Sequence, residues 1–208
     1  MIKTTFKLAV IFLLTAINSC YYERETDQLK VCYIRSGSIW VMNIDGSDQR
    51  QITNSGDDNM PSWSPDGKRI LFERGSTIAN IYIINSDGEN LKQLSTIKSS
   101  SATWSADGEN IFYYEENGSD YSIITAKPDG TIIRKYPITD QANALSASPD
   151  GKYIYYLKSS TSYQLDLTTG DEDNHTTSIL DHGSLSPDGN LIAYDNGTGV
   201  WLYHCCVQ

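Results

Sequence analysis

Trp63-Ser64-Pro65-Asp66-Gly67 is the stretch on which the fold turns. It returns as Trp104-Ser105-Ala106-Asp107-Gly108, as Ala147-Ser148-Pro149-Asp150-Gly151 and as Leu185-Ser186-Pro187-Asp188-Gly189. The aspartates are 41, 43 and 38 residues apart, so a unit of about 41 residues is repeated along the chain. Ser-Pro-Asp-Gly suits a type I turn. The serine accepts from the backbone, the proline presets φ at the second position, and the glycine tolerates a positive φ at the end.

Around each turn lie apolar stretches rich in Ile, Tyr, Phe and Val, residues that fit a pleated, half-buried surface. One set follows the turn: Ile70 to Glu73, Ile111 to Glu115, Tyr153 to Leu157 and Leu191 to Tyr194. A second set comprises Ile39 to Ile44, Ile81 to Asn85, Tyr121 to Thr125 and Val200 to Tyr203. Three of these lead into Asp45-Gly46, Asp87-Gly88 and Asp129-Gly130, a short hairpin signal. No stretch after residue 20 sustains a helical period with caps at both ends. Each repeat therefore reads as four antiparallel strands, a to d, with tight turns at a–b and c–d. A single such sheet leaves a face wet, and stacking copies around an axis buries it.

These repeats resemble the TolB-like propeller family, whose Trp-Ser-Pro-Asp-Gly units form four-stranded blades. The resemblance covers residues 29–208 and implies an all-β fold, a β-propeller of four-stranded antiparallel blades. Eighteen strands can be assigned, two short of five blades, and the missing pair lies at the seam. A five-bladed ring with an incomplete seam is preferred; the alternative is an open arc, or a truncated six- or seven-bladed propeller. The d strands are expected near Ile52, Leu94, Ile138 and Ile179.

Lys3 and Lys7 precede an apolar run, Leu8 to Ile17, that ends at Asn18-Ser19-Cys20. This describes a secretory signal too short to span a bilayer. Its end resembles the lipobox of bacterial lipoproteins, which implies a covalent lipid on Cys20. The expected organisation is a signal peptide over 1–19, a tether over 20–28 and the propeller over 29–208. Removing 1–19 takes away two lysines and no acid, so the net charge moves from −10 to −12. Such an acidic chain does not suit nucleic acid, which calls for a basic stripe. The membrane is then reached through hydrocarbon burial rather than anionic headgroups.

Catalytic motifs are lacking: there is no Gly-x-Ser-x-Gly elbow, no His-Glu-x-x-His, no Cys-x-x-Cys and no phosphate-binding Gly-rich loop. Asp57-Asp58 and Asp171-Glu172-Asp173 are better read as solvated loop tips than as calcium ligands, so no metal and no other cofactor is expected. The repeated aspartates are read as turn formers, and the tryptophans as core. Cys32 on the first b strand and Cys205 or Cys206 at the last c strand become neighbours if a ring closes, which suggests a disulfide.

Binding is expected where the connections vary in sequence, at the b–c and d–a side. The candidate residues there are Arg35, Asp57, Asp58, Arg74, Glu116, Asp181 and His182. The leading expectation is a non-enzymatic, monomeric, lipid-anchored protein of the bacterial outer membrane or periplasm. Its propeller would serve as a scaffold for an envelope protein or peptide. A carbohydrate-binding or polysaccharide-lyase-like propeller is one alternative, and a degenerate copy without independent function is the other.

Overall fold

The computed structural model describes the backbone of residues 20–22, 30–159, 161–175, 184–185, 191–195 and 200–204, with side chains over 30–159 and 161–174. All the described regular structure is β, arranged as antiparallel sheets. The first sheet holds β1 (Cys20–Tyr22), β2 (Lys30–Arg35), β3 (Ser38–Asn43) and β4 (Arg50–Gln51), in that spatial order. The second holds β5 (Asp58–Trp63), β6 (Arg69–Arg74), β7 (Asn80–Asn85) and β8 (Lys92–Gln93). The third holds β9 (Lys98–Trp104), β10 (Ile111–Asn117), β11 (Asp120–Ala126) and β12 (Ile132–Ile138). The fourth holds β13 (Ala142–Ala147), β14 (Tyr153–Lys158), β15 (Thr161–Asp166) and β16 (Glu172–His175). Three strands follow in a fifth sheet, β17 (Ser184–Leu185), β18 (Leu191–Asp195) and β19 (Val200–His204).

The chain divides into two compact units, residues 1–77 with 82–92, and residues 78–81 with 93–208. The first is built on Cys32, Ile39, Val41, Ile52, Trp63, Ile70, Phe72 and Ile84. The second is built on Phe112, Tyr114, Ile123, Tyr136, Ile138, Ala142, Ile154, Tyr156 and Leu165. In β10 five consecutive residues are buried, so both faces of the strand are covered and the sequence reads as an apolar run rather than an alternation. Each fully buried Ile, Leu or Phe contributes about 1.5–3 kcal/mol relative to exposure.

The Ser-x-Asp-Gly turns are built alike. In the turn from Ser64 the Gly67 amide donates to Ser64 O at 2.8 Å. The Ser64 hydroxyl donates to Asp66 Oδ1 at 2.6 Å, and its oxygen accepts from the Arg69 amide at 3.0 Å. Ser105 and Ser148 repeat the set with Asp107 and Asp150. The glycines close at φ of 63°, 71° and 71°.

Asp45-Gly46, Asp87-Gly88 and Asp129-Gly130 do not sit in two-residue hairpins as their sequence suggests. Gly46 N donates to Asn43 O and Asn43 N to Ser47 O, so the connection is wider, and Asp45 Oδ1 accepts from the Ser47 amide at 2.9 Å. The two-residue turns lie instead at b–c. Ser36 and Gly37 link β2 to β3 with φ of 53° and 68°, the signs a type I′ turn requires. A Cβ on Gly37 would fall 1.9 Å from Gly56 O, so this tip accepts glycine alone.

Two strand placements differ from expectation. β1 supplies the missing a strand of the first sheet, with Cys20 opposite Cys32, Tyr21 opposite Val31 and Tyr22 opposite Lys30. Its residues fall at the start of the segment expected as a tether. The d strand of the fourth sheet is β16, directly after the Thr169-Gly170 turn, rather than near Ile179, which lies outside the described residues.

Candidate functional site

The b strands β6, β10 and β14 begin at the Ser-x-Asp-Gly turns and end at the b–c side, through two-residue turns after β10 and β14 and a five-residue connection after β6. In each preceding a strand one non-glycine residue takes a left-handed conformation, Met60 (φ 50°), Ser101 (φ 56°) and Ala144 (φ 52°). The register shifts there, between Asn59 and Ser62 in β5 and at the matching places of the next two sheets. The bulge gives the a strand one extra residue and sets Asp58 directly opposite Arg74. By the same register Glu115 and Lys158 occupy the position of Arg74, 41 and 43 residues on, the spacing of the turn aspartates.

In the first unit Asp58 is 0% exposed. Arg74 reaches it with Nε at 2.6 Å from Oδ1 and Nη2 at 3.2 Å from Oδ2. The Ser55 hydroxyl donates to Oδ1 at 2.7 Å, and the Thr53 hydroxyl donates to Oδ2. Thr53 Oγ1 in turn accepts from the Ile39 amide at 2.8 Å. The Arg74 guanidinium lies 5.0 Å from the Tyr82 ring centroid and 5.2 Å from that of Phe72, and its hydrogen bonding to Asp58 raises its pKa further. A buried carboxylate is tolerable only with this degree of pairing.

The second unit solves the same position twice, differently. Glu115 accepts from Lys135 Nζ at 2.5 Å, across the sheet from β12. Lys158 donates to Glu172 of β16 and to Thr139 Oγ1 at 3.1 Å, and its Nζ lies 3.8 Å from the Tyr163 ring centroid. The Tyr156 hydroxyl donates to Glu172 Oε2 at 2.5 Å. Burial first, and then this bond, hold the Tyr156 phenol far above its usual range. Burial and the Glu115 charge push the Tyr113 phenol up to about 12.

Of the residues expected at the binding side, Arg35 is exposed with its guanidinium 5.1 Å from the Trp40 ring centroid. Asp57 is half-buried, and its carbonyl accepts from the Gly75 amide. Glu116 accepts from Lys98 Nζ at 2.8 Å and Gln141 Nε2 at 3.5 Å. Asp58 and Arg74 are brought together; Asp181 and His182 lie outside the described residues. Cys20 lies in β1 and Cys32 is buried, while Cys205 and Cys206 are outside the described residues. Asp58 and Glu172 are not the solvated loop tips expected: Asp58 is buried and serves Arg74, and Glu172 stands on β16 and serves Lys158 and Tyr156. Glu115, Lys135, Lys158 and Glu172 were not among the expected residues, although repeat spacing from Arg74 leads to Glu115 and Lys158.

The model of the TolB beta propeller domain matches residues 17–162. The chain belongs to the TolB β-propeller family. Over 62 residues, 28% of this chain, it is 39% identical to the Tol-Pal system protein TolB of Rhizorhabdus wittichii, of which that match covers 14%. Over 184 residues, 85% of the chain, it is 26% identical to the uncharacterized peptidase YuxL of Bacillus subtilis, covering 27% of that protein. The chain thus spans a minor part of the curated relatives it matches. Among solved structures, the putative TolB of Agrobacterium tumefaciens superposes with a TM-score of 0.71 at 17% identity, over 86% of this chain and 70% of that one. Within this propeller the Ser-x-Asp-Gly turns recur with the same hydrogen bonds, and the b–c ends carry what differs from sheet to sheet.

Proposed function

We propose that the chain is a non-enzymatic protein of the bacterial cell envelope whose propeller is a scaffold for a protein or peptide partner, docking at the b–c ends. The observation that carries this is the diversity at one repeated position. Arg74, Glu115 and Lys158 stand at the same place on equivalent strands, with opposite signs and three different partners. These pairs anchor the strand ends from within, and the b–c connections that follow them differ in sequence; a repeated frame with differing connections is how a rigid scaffold acquires a specific surface. The membership in the TolB family and the likeness to a Tol-Pal protein support an envelope setting.

Cys20 is proposed as the lipid attachment point. Replacing it with alanine is expected to release the product from the membrane fraction; a product that stays there contradicts the anchor. The scaffold reading is tested by affinity capture from envelope extracts beside a glycan array. A defined envelope protein retained by the wild type and lost with Arg35→Glu supports it. Binding to acidic glycans with no retained protein overturns it.

A further inference from the structure

The d strands of this fold are unequal. β4 and β8 have two residues each, whereas β12 has seven and lies last in the order β12-β11-β10-β9. Its inner side pairs with β11 from Tyr121–Ile138 to Ala126–Ile132, with a bulge at Ile133 where the register shifts. Along its first half every residue from Thr131 to Lys135 is exposed, with Ile132 at 55% and Ile133 at 51%. Two adjacent exposed isoleucines on a long terminal strand are what a sheet edge ordinarily avoids. Tyr136 and Ile138, further along, turn into the core of the second unit.

The charge of the segment sets it apart as well. Residues 131–136 carry Arg134 and Lys135 and no acid, in a chain of net charge −10; Lys135 answers Glu115 of β10, so the charge left to the edge is that of Arg134. Arg134 is oriented by the β15–β16 turn, where Nη1 donates to Leu167 O at 3.2 Å and Thr168 O at 3.1 Å; these neutral carbonyls leave its charge in place. The guanidinium also covers the Tyr136 ring at 4.7 Å.

We propose that β12 is a second interaction surface, which takes an extended acidic segment of a partner protein as an added strand along Ile132–Tyr136. The backbone of the edge supplies the pairing, Ile132 packs against apolar side chains on one face, and Arg134, on the other face, selects an acidic residue. Pro137, which has no amide to donate, ends the usable edge. A second copy of this chain is a poor occupant. Antiparallel self-pairing centred on this stretch sets Arg134 against its own counterpart, and like charges directly opposite destabilise a sheet.

The surface goes beyond the scaffold reading and is tested without its unknown partner. The probe is a synthetic peptide of about eight residues alternating valine and glutamate, added to the full chain while amide exchange is followed. The outward amides of Ile132–Tyr136 are expected to slow. A valine–lysine peptide and a copy N-methylated at alternate residues should each bind at least about tenfold more weakly. Ile133→Glu, at a position already in water, should weaken binding by about tenfold with an unchanged Tm. Equal binding of the lysine or N-methylated peptide overturns the proposal, as does protection that falls elsewhere. Protection of the same amides by raising the protein concentration alone also overturns it, because the occupant is then another copy. None of these outcomes touches the b–c ends, so failure here leaves the envelope-partner reading to its own test.

Discussion

The two ends of the b strands teach different lessons. At the start of β6, β10 and β14 the same serine, aspartate and glycine make the same hydrogen bonds three times over. At the far ends the positions coincide and the chemistry does not. A buried carboxylate meets an arginine in the first unit; in the second, a buried glutamate meets one lysine and a buried lysine meets another glutamate. Turn geometry demands a fixed set of donors and acceptors, so the repeat keeps it. The position at the other end demands only that a charge entering it be answered, and each sheet answers in its own way.

If that contrast is correct, the largest stability losses lie at the variable ends. Arg74→Met leaves Asp58 buried with two hydroxyls and no counter-charge, and should cost about 3–5 kcal/mol by urea denaturation. Arg74→Met with Asp58→Leu should recover most of that loss, because the uncompensated charge is gone. Lys158→Met should cost less, about 1–3 kcal/mol, since Glu172 keeps the Tyr156 hydroxyl and some solvent. A loss at Lys158 equal to that at Arg74 would show that exposure of the stranded partner is not what decides.

The repeated ends should respond alike. Ser64→Ala, Ser105→Ala and Ser148→Ala each remove one hydroxyl that serves both Asp and backbone, at about 1 kcal/mol apiece. Widely different losses would break the equivalence of the turns.

The smallest effect is on pH. The Asp107 and Asp150 carboxyls are held below 3.8 by the serine hydroxyl and then the amide two residues on; at Asp66 burial pushes upward and the same bonds prevail. A lowered folded pKa means stability present above the unfolded value and lost as pH falls through the folded one. Acid titration of Asp107→Asn by circular dichroism should therefore show a shallower loss below about pH 4 than the wild type. At the alkaline side the sign reverses. Tyr113, raised to about 12, gives stability that is complete below pH 10 and fades as pH rises toward 12. Tyr113→Phe should flatten that decline.

Local chemistry explains how much of this could be read beforehand. Ser64-Pro65-Asp66-Gly67 closes on itself, so its meaning is contained in five residues. Arg74 and Asp58 were both marked as candidates, yet their pairing depends on a bulge at Met60, a left-handed residue with no glycine to announce it. The Asp-Gly pairs misled because the dipeptide suits two turn geometries; Asn43 and Ser47 close the wider one here. Tight turns at Ser36-Gly37 and Gly118-Ser119 carry less familiar sequences. β12 as an exposed edge was not visible at all, since Ile132 and Ile133 look like core until the strand order is known.

The central claim is that partners meet the b–c ends and not the Ser-x-Asp-Gly turns. It is tested most directly by placing a photoreactive residue at Ser36 or Ser119, and separately at Lys68 or Glu109, in the intact protein. Irradiation of cells should yield a discrete protein adduct from the first pair of positions and none from the second. Adducts from the turn positions alone, or from all four equally, would contradict the account.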